Sequence, residues 1–157
     1  MRKRIISPVQ EQKVDSDQNW LDLEKLAVVE VTSENDAYPI ESALLPGKAS
    51  GWRASGSGKQ TIRLLFDNPQ KLQLIRLNFE ELEIERTQEY DLRCSSDSGQ
   101  TYQEIVRQQW NFSLQCATTE MEEYQVELMG VTALELNIIP DISGRNAFAS
   151  LTQLRLA

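Results

Sequence analysis

The stretch TIRLLFDNPQKLQLIRLNF (residues 61–79) decides the fold class. In its first part, Ile62, Leu64 and Phe66 fall on one face of an extended chain, which is typical of a strand with one side in a core. The residues DNPQ (67–70) that follow have the composition of a turn. We therefore predict a strand, a turn and a second strand.

The second part of this stretch carries a one-residue shift in its apolar phase. Leu72 and Leu74 are in phase, whereas the next apolar side chains are those of Ile75, Leu77 and Phe79. A shift of this kind inside a strand is what a β-bulge produces.

The same alternation recurs in short segments along the rest of the chain. WLDLEKL, before the first of these segments, predicts a short helix. Turn-forming residues separate the strands, and no long amphipathic helix or internal repeat competes with them, so seven or eight strands predict a β-sandwich or barrel. The further predicted strands are AVVEV (27–31), YDLRC (90–94), YQVEL (124–128), ALELNII (133–139) and LTQLRLA (151–157).

The chain has the size and composition of one globular domain. It has 157 residues, of which 40% are hydrophobic and 25% charged. Residues 1–19 are polar and show no periodicity. We therefore predict an N-terminal arm over residues 1–19 and one β-sandwich domain over residues 20–157.

Charge and residue usage exclude several classes of function. The formal net charge is −8, which disfavours nucleic acid and anionic membranes as partners. There is no histidine, so a serine triad or a histidine-based zinc site cannot be built. Since neither a signal-peptide pattern nor an apolar run of about 18 residues is present, we expect a soluble, cytoplasmic protein. Because histidine is absent and nothing in the sequence sets the separation of a carboxylate pair, we expect that it is not an enzyme.

Two cysteines, Cys94 and Cys116, lack the spacing of metal ligands. Both fall in segments with strand character. We expect two buried thiols, with a single disulfide as the alternative.

The segment IVRQQWNFS (residues 105–113) carries two kinds of face. Its even positions are mostly apolar and place Trp110 and Phe112 toward the core. Its odd positions include Arg107, Gln109 and Asn111, whose planar polar groups can hold sugar hydroxyls or carboxylates. The alternative for these three residues is a solvated outer face of the sheet.

Two loops offer further candidate ligand-binding residues. Residues 32–59 form a long segment rich in turn residues, in which Trp52 and Arg53 could stack on a sugar ring and bind its hydroxyls. The alternative is that Trp52 plugs one end of the sandwich. Arg145, in PDISGRNAF (140–148), is a second candidate, with pairing to Asp141 as its alternative.

The order of four segments resembles the coagulation factor 5/8 type C, or discoidin-like, domain family over roughly residues 27–157. These segments are VEVTSENDAYPIESAL, GWRASGSGKQTIRLLFDNPQKLQLIRLNF, YDLRCSSDSGQTY and ASLTQLRLA. The segment RQQWNFS (residues 107–113) also resembles a bacterial subgroup of discoidin-like proteins. The resemblance implies an all-β fold, namely an eight-stranded antiparallel jelly-roll β-sandwich of the galactose-binding type, with a binding site in the loops at one end.

We expect no cofactor; the alternative, which the resemblance implies, is the structural calcium ion that many members of the family hold near the first long loop. Asn35, Asp36 and Glu41 offer oxygen ligands there. The family pattern is only partly kept, because LPGK precedes Trp52 where the family often has acidic residues, and Gln153 stands where it often has an acidic side chain in the last strand.

These observations predict a non-catalytic binding module with a loop-end site, for which carbohydrate is the first candidate ligand. The alternative is an intracellular protein–protein interaction scaffold of the same fold. A third option, scaffolding in DNA repair, is disfavoured by the acidic charge. The acidic run around Glu81, Glu83 and Glu85 is interpreted as charge on an exposed strand edge.

Overall fold

The computed structural model describes residue 3, residues 19–48 and residues 50–157. The predicted arm over residues 1–19 therefore lies almost wholly outside the described residues. Among the described residues there is no helix of the length and apolarity needed to cross a membrane. The elements in chain order are α1 (Leu23–Leu26), β1 (Ala27–Val31), α2 (Glu41–Leu44), β2 (Trp52–Arg53), β3 (Gln60–Glu80), β4 (Arg86–Ser95), β5 (Gln103–Phe112), β6 (Thr119–Ile139), β7 (Ser150–Leu151) and β8 (Gln153–Leu156).

The described strands form an antiparallel sandwich built around two long strands, β3 and β6. The first half of β3 pairs with β1 and with the second half of β6, which pairs in turn with β4 and then β5. The second half of β3 pairs with β8 and with the first half of β6. Counted by segments, five strands plus three strands make eight, which confirms the predicted eight-stranded jelly-roll β-sandwich.

The stretch 61–79 forms one strand and not two. Leu65 pairs with Ala133 and Gln70 with Val131, so four residues of β3 (66–69) lie between these pairs, opposite one residue of β6 (132). The predicted turn at DNPQ is therefore wrong as a separate turn: it is an irregular bend within β3. The two predicted strands of residues 124–128 and 133–139 likewise join in β6, where Gly130 adopts a φ of +64°.

The strand register is irregular near Leu72, where a β-bulge in β3 was predicted, but the extra residues lie in the partner strand β6. Leu72 lies opposite Leu128, and Leu74 lies opposite Gln125, with register shifts on both sides of Leu72. The shift returns Ile75 to the core side, where it is fully buried. From Gln70 to Leu72, and again from Leu72 to Leu74, two positions of β3 pass three positions of β6, so β6 is the bulged strand.

Aromatic contacts join the two layers. The rings of Phe79 on β3 and Tyr90 on β4 have centroids 5.1 Å apart. The hydroxyl groups of Tyr90 and Tyr124 lie 2.6 Å apart, which satisfies both polar ends inside the sandwich. The core is therefore closed by side chains from both sheets.

A row of alternating charges crosses the outer face of the larger sheet. Glu30, Arg63, Glu135, Arg93 and Glu104 lie side by side on β1, β3, β6, β4 and β5. Arg63 donates to Glu30 at 2.9 Å and to Glu135 at 3.0 Å. Cross-strand pairs of opposite charge support this register.

The last strand holds the first long loop through a buried cation. Arg155 on β8 is 8% exposed, and its guanidinium donates to the carbonyl oxygens of Ala43, Leu45 and Leu154 at 2.8–3.2 Å. No carboxylate pairs with Arg155 among the described residues. Burial lowers the pKa of Arg155, and the charge of Arg76 adds to the effect.

The two cysteines differ in their surroundings. Cys94 is half-buried and Cys116 is exposed, and both thiols are free. The expectation of two buried thiols is wrong for Cys116, because β5 ends at Phe112 and residues 113–117 form a turn.

Candidate functional site

A depression of about 550 Å³ lies where β2 and β7 meet the loop that follows β3. We call it the end depression. It is concave and mixes polar with apolar surface, as ligand sites do. Its lining residues are Asn35, Arg53, Ala54, Ser55, Glu80, Glu81, Glu83, Ile84, Asn146, Ala147, Phe148, Ala149 and Ser150.

Strand β2 places Arg53 in the end depression and Trp52 beneath it. Trp52 pairs with Leu151 of β7 and is 1% exposed, and its indole Nε1 donates to the carbonyl oxygen of Ser33 at 3.0 Å. Because side chains alternate along a strand, Arg53 points outward. The predicted stacking of Trp52 on a sugar does not fit this buried indole, whereas the alternative of an end plug describes it.

Two groups hold the Arg53 side chain. Its guanidinium carbon lies 4.6 Å from the centroid of the Tyr38 ring, and its Nη1 lies 3.9 Å from Oε1 of Glu83. The backbone of Arg53 is fixed as well, since Asn35 N donates to its carbonyl at 2.8 Å. A cation on an aromatic face keeps its hydrogen-bond donors free for a ligand.

An acidic loop (residues 81–85) forms one wall of the end depression. The Glu81 carboxylate accepts hydrogen bonds from Arg86 Nε at 2.7 Å and from the Glu83 amide at 3.0 Å. Arg86 is 2% exposed and also donates to the carbonyl oxygen of Pro140 and to Gln88. Arg86 therefore ties the acidic loop to the interior of the sandwich.

An exposed aromatic ring forms another part of the wall. Phe148 is 49% exposed, whereas Ala147 and Ala149 on either side of it are buried. Both neighbours are fixed through their carbonyls, which accept from Gly58 N and Ala54 N at 3.1 and 2.9 Å. The alternation of buried alanines thus holds the ring of Phe148 outward, where it can pack on the C–H face of a ligand.

Neutral polar groups complete the site. Asn35 and Asn146 both line it, together with the hydroxyls of Ser55 and Ser150. Asn35 uses its side-chain oxygen for the amide of Ala37 at 2.9 Å, which leaves its amide nitrogen for a ligand. An exposed ring beside a guanidinium, amides and hydroxyls is suited to a ligand with one apolar face and many hydroxyls.

Arg145 lies beside the end depression and not in its lining. It donates to Asp141 at 2.8 Å and to the carbonyl oxygen of Glu85 at 2.9 Å. Burial acts to raise the pKa of Asp141, but hydrogen bonds from Ser143 and Arg145 outweigh it and lower that pKa. The pairing of Arg145 with Asp141, which was the alternative, describes this residue.

The predicted polar row of β5 is separate from the end depression. Arg107 contacts Glu104 at 2.8 Å and Asp91 at 3.5 Å. Gln109 donates to Glu89 at 3.4 Å, and Asn111 accepts from Thr87 at 2.6 Å.

Neighbouring side chains thus engage the polar groups of Arg107, Gln109 and Asn111, and the alternative of a solvated outer face fits them. The inward direction of Trp110 and Phe112 is confirmed, since both pack on the core.

The predicted calcium ligands are not assembled into a cluster. Asn35 lines the end depression, whereas Glu41 lines a different, smaller depression beside Leu23, and Asp36 is exposed. Among the described residues no group of three or more Cys, Asp or Glu side chains is arranged to hold a metal ion. The structure therefore gives the prediction of calcium at Asn35, Asp36 and Glu41 no support.

Sequence reasoning missed the residues that dominate the end depression. Glu80, Glu81 and Glu83 were interpreted as edge charges, and Phe148 was not singled out. The signal for Phe148 was present in NAFAS, since a large ring between two alanines fits a segment that buries its small residues.

Comparisons with known proteins show which solved structures have a fold similar to this one. No family model matches the sequence, and no curated protein matches it. Solved structures do match: one is a pectin-binding carbohydrate-binding module, with a TM-score of 0.61, 15% identity, and coverage of 84% of this chain and 90% of that chain.

A second similar structure is the family 32 carbohydrate-binding module of NanJ from C. perfringens in complex with galactose. Its TM-score is 0.63 at 14% identity, and the match covers 87% of this chain and 96% of that one. A third is the family 32 module of AlyQ in complex with 4,5-unsaturated mannuronic acid, with a TM-score of 0.58, 16% identity and coverage of 89% and 98%. This likeness confirms the galactose-binding type of β-sandwich.

Proposed function

We propose that the protein is a non-catalytic carbohydrate-binding module of the discoidin-like type, and that the end depression holds the sugar. The observation that carries the proposal is the exposed ring of Phe148 beside the guanidinium of Arg53 in one concave site. The fold supports it, since similar structures hold galactose and an unsaturated mannuronic acid.

The sugar would lie with its C–H face on Phe148 and its hydroxyls toward Arg53 and Asn146. Aromatic rings contribute about 0.5–1.5 kcal/mol in such packing beyond their buried area. Arg53 offers several donors in one plane, which suits vicinal hydroxyls. Because Trp52 and Arg86 are buried beneath the site, its floor is rigid before the ligand arrives.

Calorimetric titration with a panel of mono- and oligosaccharides tests this function. We expect saturable binding to at least one sugar, and a rise in Kd of about tenfold in Phe148→Ala, which corresponds to about 1.4 kcal/mol. Met129→Ala is the control, since Met129 is 69% exposed and does not line the end depression. The proposal fails if no sugar binds, or if Phe148→Ala and Met129→Ala bind alike.

An exposed apolar rim supports one alternative, an intracellular protein–protein interaction scaffold. Leu82 is 62% exposed and Ile84 is 43% exposed in the acidic loop, and Ile84 lines the end depression together with Phe148. A cytoplasmic location belongs to this alternative and is tested by cell fractionation. Capture of one stoichiometric partner that Leu82→Ser abolishes, together with a negative sugar panel, would favour it.

A further inference from the structure

The mouth of the end depression has more negative than positive charge. Its lining contains one cation, Arg53, and three carboxylates, those of Glu80, Glu81 and Glu83. The carboxylate of Glu81 forms an ion pair with the buried Arg86, with Nε of Arg86 2.7 Å from Oε1 of Glu81. Glu80 and Glu83 therefore face a ligand with only Arg53 to balance them.

Both of these carboxylates have acceptor capacity left for a ligand. Glu83 reaches Arg53 only at 3.9 Å, and its side chain is 75% exposed. Glu80 is exposed, and its carboxylate makes no hydrogen bond or ion pair with the described residues. The net charge of −8 over the chain has the same sign, so the surrounding field adds to the local one.

We propose that the end depression selects sugars with a free amine over neutral sugars, and neutral sugars over uronic acids. The proposal rests on the sugar-binding function stated above. An ammonium group has three donors, and Glu80 and Glu83 offer acceptors without losing a partner inside the protein. A uronate carboxylate would meet two like charges and would have to compete with Glu83 for Arg53.

The proposal separates this chain from some proteins of similar fold. One such module binds pectin and another holds an unsaturated mannuronic acid. The acidic loop and Glu80 give the end depression the opposite charge preference on the same framework.

Two matched sugar series test the charge selection. Galactosamine, galactose and galacturonic acid share one ring configuration, and glucosamine, glucose and glucuronic acid share another. Titrations at pH 6 keep the amines protonated and the uronates ionised. We expect the amine to bind about tenfold more tightly than the neutral sugar, the size of one well-placed charge contact, and the uronate more weakly than the neutral sugar.

Two controls identify the cause. The double variant Glu80→Gln/Glu83→Gln should remove the preference, so that within this variant the amine and the neutral sugar bind with the same affinity. Raising the salt concentration from 50 to 500 mM should reduce the preference of the native protein, because exposed charges are screened.

The outcomes separate the two proposals. If neutral sugars bind but uronates bind as tightly or more tightly, the charge selection is overturned and the sugar-binding function stands. If no member of either series or of the wider panel binds, both proposals are overturned.

Discussion

The guanidinium of Arg86 lies 2.7 Å behind the carboxylate of Glu81, and the Arg86 side chain has no exposed surface. The pair connects the acidic loop to a buried position, where Arg86 also packs over the ring of Phe112 with its guanidinium carbon 4.6 Å from the ring centroid. A buried cation of this kind depends on its acidic partner, because removing one member leaves the other charged and desolvated.

Glu81→Gln should therefore lower the free energy of unfolding by about 3–5 kcal/mol, as expected when one member of a buried ion pair is removed. Denaturation by urea measures it. The matched control is Glu104→Gln, which removes an exposed partner of Arg107 and should cost about 1 kcal/mol or less. Equal losses in the two variants would show that the Arg86 pair is not a structural tie.

Trp52 and Arg53 are neighbours with opposite expected effects. Trp52→Ala removes a fully buried ring and should cost about 3–5 kcal/mol in unfolding free energy. Arg53→Ala should cost less than about 1 kcal/mol, since this side chain is 45% exposed, but should weaken sugar binding. Thermal unfolding and titration of both variants check the pair. A stable Trp52→Ala protein with lost affinity would instead make Trp52 a ligand contact.

Gly51 is required by a close approach of two strands. It has a φ of +71°, and a Cβ there would lie 2.8 Å from the carbonyl oxygen of Leu151. Gly51→Ala should therefore cost more than about 3 kcal/mol, from overpacking added to backbone strain.

Gly47→Ala is the matched control for this clash. Gly47 has a φ of +80° in open space, so only a backbone cost of about 1–2 kcal/mol is expected. The difference between the two variants in urea denaturation measures the clash, and a negligible difference would contradict it.

Glu120 should make stability depend on pH. Its side chain is fully buried, and burial together with the negative charge of Glu122 raises its pKa from 4.5 to about 7. The folded state therefore holds a proton that the unfolded state releases, and stability falls as pH rises from about 4.5 to about 7. At most this amounts to about 3 kcal/mol.

Glu120→Gln should flatten this part of the pH profile and stabilise the protein above pH 7. Urea denaturation at several pH values measures the effect. The control is Glu127→Gln, an exposed position on the same strand, which should leave the profile unchanged. A profile that is unaltered by Glu120→Gln would contradict the assignment.

Arg155 is expected to stabilise the first long loop without a metal ion. Arg155→Met removes the donors to the carbonyl oxygens of Ala43 and Leu45, which should cost about 1–3 kcal/mol. Calcium and a chelator should each leave the thermal midpoint of the native protein unchanged. A rise in the midpoint with calcium would instead support a site at Asn35, Asp36 and Glu41.

Alternation predicted a sandwich or barrel, because burial of one face fixes strand parity, and the resemblance to discoidin-like domains added the eight-stranded jelly roll. The phase shift at Leu72 located the register irregularity but not the strand that carries the extra residues. The joining of two predicted strands in β3 was not predictable from DNPQ. A bend and a turn have the same composition, and only pairing with β6 on both sides of residues 67–70 distinguishes them.

The candidate site was predicted less well than the fold. Arg53 was predicted and lines the end depression, but Arg107 is engaged by Glu104 and Asp91 from its own sheet. Glu83 and Phe148 meet only through folding, since 65 positions of sequence separate residue 83 from residue 148. No local sequence pattern indicates that two residues so far apart in the chain line the same depression.

Strands β3 and β6 each pass through both layers of the sandwich, so main chain joins the layers at their centre as well as at their loops. Sliding of one layer over the other would have to break ladder hydrogen bonds in both strands at once, which opposes the shear motions common in switching proteins. We therefore expect the empty and the occupied protein to share one backbone. Solution scattering with and without sugar should then give the same profile.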